Sequence, residues 1–199
     1  NTRNPEQVVL GQVIGFTSTY LLANLFGSAS AVLPGAEVLH LGPSAGLRVG
    51  PFLLGSVVNA LGEILQPASE AHREDLPCER VNIEHPAPNA LSRPAIHRPF
   101  ITGVRALDAF VPIGCGQRLC VRAEPGVGKS TLMGMITQSS TAEVNVIGLI
   151  GERGREVAEF LNDVLPPAAR SRTVVVVSTS DEPALLRACA AQTATRIAE

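Results

Sequence analysis

Tryptophan is missing from this 199-residue sequence, tyrosine occurs once, methionine twice and lysine once. Long apolar runs are missing too: the longest purely aliphatic stretch is Val174–Val177. A bilayer-crossing helix needs about 18 or more consecutive apolar residues, so none is encoded here. No basic segment followed by an apolar core opens the sequence, so no secretory signal is visible. The four cysteines, Cys78, Cys115, Cys120 and Cys189, form no C-x-x-C pair, which argues for reduced thiols over a disulfide or zinc framework. His40, His72, His85 and His97 fall at no metal-ligand spacing and read as surface or locally bonded residues. Net charge is only −2, which argues against a dedicated nucleic-acid or membrane-surface binder. What is present is ordinary core material: 45% hydrophobic and 17% charged residues, with glycine and proline below the range of a disordered chain. Fifteen of the sixteen basic residues are arginine; a GC-rich genome accounts for that bias, but the single exception, Lys129, asks for a reason.

Three stretches differ in texture. Residues 1–66 read as short strands between turns: Val8–Phe16, Tyr20–Phe26 before Gly27-Ser28, Glu37–Leu41, and Phe52–Val58 before the turn Asn59-Ala60-Leu61-Gly62. Closely spaced β-like runs predict a small closed β-barrel. Residues 67–99 hold six of the fifteen prolines and the acids Glu70, Glu74, Asp75 and Glu79, the composition of an extended connector. From residue 100 strands alternate with helices. Gly103–Phe110 predicts a short helix with Thr102 as N-cap, Gln117–Arg122 a strand, Ser130–Gln138 a helix, Val144–Ile150 a strand and Glu152–Leu165 a helix. Thr173–Ser178 predicts a strand, followed by a helix that Ser180 or Asp181 caps and Pro183 opens. That alternation predicts an α/β domain with a parallel sheet.

Ala123-Glu124-Pro125-Gly126-Val127-Gly128-Lys129-Ser130-Thr131 sits between a predicted strand and a predicted helix. It matches G-x-x-x-x-G-K-[ST] except that Ala123 stands in the first position. Gly126 and Gly128 let the backbone curl until successive N–H groups converge on phosphate oxygens, and the helix N-terminus adds partial positive charge. Lys129 reaches β- and γ-phosphates, Ser130 can ligate Mg²⁺, and Thr131 is placed for an α-phosphate oxygen. An ammonium here does what the broad fork of arginine cannot, which is a reason for the lone lysine. Glu124 adds negative charge beside the loop. The plainer alternative is an ordinary glycine-containing strand-to-helix turn.

A second cluster, Gly151-Glu152-Arg153-Gly154-Arg155-Glu156, directly follows the strand Val144–Ile150. Ligands of open parallel sheets sit beyond the carboxyl ends of the strands, and a carboxylate there can orient and polarise an attacking water. The alternative for Glu152 is a solvated helix start; for Arg155 and Glu156, ion pairing around the site is favoured over catalysis.

These residues are familiar together. Arg118–Thr131 and Val144–Val157 closely resemble the type III secretion ATPase family, which comprises injectisome and flagellar export ATPases and is related to the catalytic subunit of rotary ATP synthases. Thr179-Ser180-Asp181-Glu182-Pro183-Ala184-Leu185 is similar to the family's TSDxPAL stretch, and Pro99–Asp108 to its entry into the nucleotide domain. Gly55–Gly62 resembles the end of the family's N-terminal barrel. The resemblance implies a small β-barrel followed by a RecA-like P-loop domain (residues 100–199, truncated on its C-terminal side), and a homo-hexamer using ATP and Mg²⁺. It implies Lys129, Glu152 and Arg153 as catalytic residues, Ala123 to Thr131 as the nucleotide loop and Ser130 as the metal ligand. Its implied partners are secretion-apparatus stalk and stator proteins and chaperone–effector complexes, without nucleic acid. The implied place is the cytoplasmic face of the bacterial inner membrane, peripheral to it. Glu124-Pro125 departs from the family's usual Gly-Ser. A start at Asn1 and a stop at Glu199 within a helical pattern read as a piece of a longer protein, with the Mg²⁺-associated Asp, trans-acting Arg and adenine pocket beyond it.

Two other classes compete. A rotary ATP synthase subunit is similar throughout, and its non-catalytic sister carries Gln where Glu152 stands. An RNA-translocating hexameric helicase calls for a basic, aromatic-bearing N-terminal domain, whereas residues 1–66 hold only Arg3 and Arg48 as cations.

Overall fold

The computed structural model describes residues 8–27, 30, 32–42, 46–68, 76–124 and 126–199. In chain order come strands β1 (Gly11–Phe16), β2 (Leu21–Leu25), β3 (Gly46–Val49), β4 (Val57–Val58), β5 (Ile64–Gln66), β6 (Glu79–Asn82) and β7 (Pro99–Phe100). Helix α1 (Arg105–Phe110), strand β8 (Ile113–Gly114), helix α2 (Lys129–Ser139) and strand β9 (Asn145–Ile150) follow. Helix α3 (Gly154–Glu159), a π-helical turn at Phe160–Val164, helix α4 (Pro167–Arg170), strand β10 (Thr173–Ser178) and helix α5 (Ala184–Ala198) complete the fold.

The four valines of β10 decide where the core sits. Every residue of β10 is buried, as a β-branched strand covered on both faces should be. It pairs in parallel with β9 from Thr173↔Asn145 to Ser178↔Ile150, and in parallel with β4 through Val175↔Val57 and Val176↔Val58. Strand β5 adds antiparallel to β4, giving the order β5-β4-β10-β9. Alternation along the strands sends Val175 and Val177 to one face, with Ile147, Leu149, Val157 and Phe160. Val174 and Val176 go to the other face, with Val58, Leu53 and Ala190 of α5. Each fully buried side chain of this kind contributes about 1.5–3 kcal/mol. Helix α5 is also pinned by its buried Thr193, whose hydroxyl donates to the Ala60 carbonyl at 2.6 Å.

This sheet takes in part of the N-terminal stretch. Val57–Val58 and Ile64–Gln66, which fall within the span 1–66 expected as the barrel, belong to the sheet of β9 and β10. The reason is burial: Val57 and Val58 find apolar cover on both faces only against β10. The turn between β4 and β5 is the predicted one, with Asn59 Oδ1 accepting the N–H groups of Leu61 and Glu63, each at 2.9 Å. Among the described residues the remaining N-terminal strands form two separate antiparallel pairs, β1-β2 and β3-β6, and not a closed ring. Strand β6 lies in the expected connector, 67–99, so that stretch supplies a ladder to β3 as well as a link. Glu37–Leu41 forms no strand and is exposed, and within the expected strand Phe52–Val58 only Val57–Val58 is strand, Phe52 and Leu53 lying in the 3₁₀ turn Pro51–Leu53. Glu70, His72, Glu74 and Asp75, with Arg3 and the turn residue Ser28, lie outside the described residues.

Three further expectations change around the nucleotide half. Gln117–Arg122 is exposed and pairs with no described strand, so its backbone groups are left to solvent and it is not a strand. The helix expected from Gly103 begins at Arg105, and Thr102 does not cap it through a helical N–H. Instead Asp108 accepts the Thr102 N–H (2.9 Å), the Thr102 hydroxyl (2.7 Å) and the Gly103 N–H (3.0 Å). These bonds, the Thr102 hydroxyl foremost, hold the Asp108 carboxyl below its ordinary pKa. The helix expected from Glu152 starts at Gly154, and the one near Pro183 has Pro183 itself as its cap residue, without a side-chain cap from Ser180 or Asp181. All four cysteines are free thiols.

Candidate functional site

Helix α2 opens directly at the glycine-rich loop. Gly126 and Gly128 take φ of +83° and +98°, a region closed to most side chains, and neither has another atom within 4 Å of where a Cβ would stand. Gly128 is the helix cap residue and brings no side-chain cap, so the first N–H groups of α2 face outward as an anion site. Lys129, Ser130 and Thr131 are the first three residues of the helix, all exposed, and Val127 at the loop tip is 64% exposed. Lys129 Nζ donates to the Ala123 carbonyl at 2.9 Å and so ties the two ends of the loop together. Ala123 and Glu124 are exposed; Pro125 lies outside the described residues.

The carboxylate loop is held differently. Gly151, at φ +76°, turns the chain out of β9, and Glu152 and Arg153 precede α3. Two backbone bonds fasten this turn to the end of β10: Gly151 N–H to the Ser178 carbonyl at 2.7 Å, and Ser180 N–H to the Glu152 carbonyl at 2.9 Å. Glu152 is therefore fixed at the carboxyl ends of two parallel strands. Its side chain shares a hydrogen bond with Glu156, and that bond, then desolvation, then the Glu156 charge, push its pKa above the ordinary carboxyl value. The ammonium of Lys129 opposes the shift. Arg153 points to solvent, with an ion pair to Glu156 at 3.6 Å. Such an exposed pair contributes little.

The loop geometry fits a polyphosphate: an open, uncapped helix N-terminus, two left-handed glycines and an ammonium. It also fits a divalent ion that arrives with the phosphates. Among the described residues no group of three His, Cys, Asp or Glu could hold a metal by itself, whereas Mg²⁺ typically takes one or two protein ligands plus substrate oxygens. The motif reading expected Lys129 and Glu152 in one site; the structure places Lys129 at the head of α2 and Glu152 at the carboxyl ends of β9 and β10, with Glu156 ion-paired to Arg153. The motif reading did not find the tether from Ser178 and Ser180, which is made of backbone atoms and has no motif.

Comparison with known proteins agrees with this geometry. Residues 103–199 match the ATP synthase alpha/beta family, nucleotide-binding domain. Over 195 residues, 97% of this chain and 43% of the relative, the sequence is 43% identical to the flagellum-specific ATP synthase of Bacillus subtilis (strain 168). It is 42% identical over 189 residues, 94% of this chain and 42% of the relative, to the type 3 secretion system ATPase of Xanthomonas euvesicatoria. The solved structure of the assembled ATPase EscN in complex with its central stalk EscO, from enteropathogenic E. coli, superposes with a TM-score of 0.87 at 41% identity, covering 98% of this chain and 47% of that one. The chain thus spans less than half the length of the relatives it matches.

Proposed function

We propose, for a chain whose residues 103–199 belong to the nucleotide-binding domain of the ATP synthase alpha/beta family, that the full-length protein hydrolyses ATP to energise export through a type III secretion or flagellar apparatus. The observation that carries the chemistry is the uncapped glycine-loop helix headed by Lys129, with Glu152 held by backbone bonds at the carboxyl ends of two parallel strands. The export assignment is supported by relatives with nearly the whole of this chain in common that are themselves flagellum-specific or type 3 secretion ATPases. A proton-transporting rotary subunit is not favoured by them, and Glu152 speaks against a non-catalytic subunit.

In this reading the N–H groups from Gly126 to Ser130 bind the phosphate chain, Lys129 neutralises the β- and γ-phosphates, and Thr131 supports the α-phosphate. Ser130 would hold a Mg²⁺ ion, which supplies charge neutralisation across the phosphates when bound. Glu152 orients a water and takes its proton as oxygen bonds to the γ-phosphorus and ADP leaves; Arg153 stands beside it. A carboxyl with a raised pKa is a better base near neutral pH than an ordinary one. The working form is a homo-hexamer on a central stalk, as the relative EscN is assembled with EscO. Stator proteins and chaperone–effector complexes are its further partners, at the cytoplasmic face of the inner membrane.

The test is Glu152→Gln in the full-length protein. Gln keeps shape and hydrogen bonding but cannot accept the proton. Mg-ATP binding and assembly should persist, single-turnover cleavage should fall by roughly 10²–10⁴, and cells carrying the variant should stop exporting. Cleavage within about threefold of wild type, far short of that general-base range, would make Glu152 a solvated loop carboxylate and end this reading.

A further inference from the structure

We infer that Arg172 is a positioning residue for the phosphate loop, holding α2 in register with the Glu152 turn; this rests on the ATPase reading above. Arg172 precedes β10 and is half-buried. Its guanidinium donates to two backbone carbonyls in the last turn of α2, Thr137 at 2.8 Å and Gln138 at 3.1 Å, and at close range to the Ala142 carbonyl in the loop that follows. The two helix carbonyls are ones a helix C-terminus leaves without partners, at the negative end of its dipole, so a cation with a planar set of donors fits them. Asn145, the first residue of β9, adds a bond from its Nδ2 to the Thr137 carbonyl at 3.2 Å, and its own N–H donates to the Arg172 carbonyl at 2.9 Å.

The consequence lies at the other end of both elements. Helix α2 carries the phosphate contacts of the site as one rigid piece: Gly128, Lys129, Ser130 and Thr131. Its N-terminus has no side-chain cap and its loop is exposed, so nothing described at that end fixes the helix against the sheet. Strand β10 carries the carboxylate: Ser178 and Ser180, at and just beyond its carboxyl end, bind the Gly151-Glu152 turn. Arg172, at its amino end, grips the tail of α2. One strand therefore joins the piece that binds phosphate to the piece that holds the base, and Arg172 is the joint on the phosphate side. Freeing it lets α2 shift with its phosphate contacts intact, while the distance from phosphate to Glu152 is no longer fixed. A misplacement of about 1 Å can cost on the order of 10²-fold in rate.

The experiment uses the full-length protein with Arg172→Ala and Arg172→Lys, and Lys129→Ala as reference. ATP affinity and bound stoichiometry are measured by titration with Mg-ATP, and kcat by single-turnover cleavage. The expected result for Arg172→Ala is a kcat loss of about tenfold or more, within the misplacement range, with affinity within about threefold and full stoichiometry. Arg172→Lys, which keeps the charge but cannot span three carbonyls, should fall between. If stoichiometry drops in proportion to rate, Arg172 only keeps the protein folded and the inference fails. It fails equally if Arg172→Ala keeps kcat within twofold, or, should that variant not fold, if Arg172→Lys is as fast as wild type. Lys129→Ala separates the two levels: normal binding and turnover there removes the ATPase reading itself, whatever Arg172 does.

Discussion

At the scale of single residues, if Glu152 is the base as proposed, its contact with Glu156 sets the pH behaviour. Glu156 raises the pKa of Glu152 mainly through a shared hydrogen bond, and its charge adds to the shift. A base whose pKa is raised loses its active form earlier as pH falls, so the acid limb of kcat/KM should lie above the ordinary carboxyl range. Glu156→Gln removes the repulsion and offers the Glu152 carboxylate an amide donor. The acid limb should then move to lower pH, and pH–rate profiles of the two full-length enzymes check it. A limb that stays in place would mean Glu156 does not tune the base. The sign for stability runs the same way. A carboxyl with a raised folded-state pKa favours folding at acid pH and loses that contribution as pH rises through it, so the variant should gain stability at neutral pH and not below the carboxyl range.

At the scale of elements, α2 is positioned by a close approach as well as by Arg172. A Cβ on Gly134 would lie 2.7 Å from both Val164 Cγ1 and the Val164 carbonyl oxygen. Alanine in a helix interior gains about 1 kcal/mol over glycine, but overpacking against backbone costs about 1–3 kcal/mol, and a carbonyl in a π-helical turn cannot swing aside. Gly134→Ala should therefore lower stability by about 1 kcal/mol net, read from the urea midpoint; an unchanged or higher midpoint would show that α2 and the turn are free to separate. What the sequence revealed of these elements follows from the range of the forces. Strand β10, the Asn59 turn and the left-handed glycines of the loop are local: five β-branched residues, an Asx side chain and two glycines specify them without distant help. The pairing of Val57–Val58 with β10 is not local, since a two-residue strand has no period and its partners lie far along the chain. Gln117–Arg122 misled for the converse reason. Leu119 and Val121 alternate as a strand should, yet pairing is what makes a strand, and no described strand takes them up. Arg172 gave no sign, because one arginine before an apolar strand looks like any other until the tail of α2 is folded over it.

At the scale of the whole molecule, the site these residues build is open. Lys129 is exposed beside Val127, which is 64% exposed, and Arg153, next to Glu152, is turned outward to Glu156. Phosphoryl transfer depends on electrostatic stabilisation in a site closed to water, and a cation supplied from a neighbouring subunit can by itself contribute about 10³–10⁵ in rate. The relatives that match this chain are more than twice its length, so residues 1–199 hold less than half of such a protein. The glycine loop and Lys129 suffice for phosphate contact, because their donors come from one helix and its preceding turn. Cleavage needs more: a second wall over the γ-phosphate and a cation on its far side. Purified residues 1–199 should accordingly release phosphate from Mg-ATP no faster than the same polypeptide with Lys129→Ala. Clear Lys129-dependent turnover by the isolated polypeptide would overturn this, and would mean that Lys129, Glu152 and the residues around them already make a complete hydrolytic site.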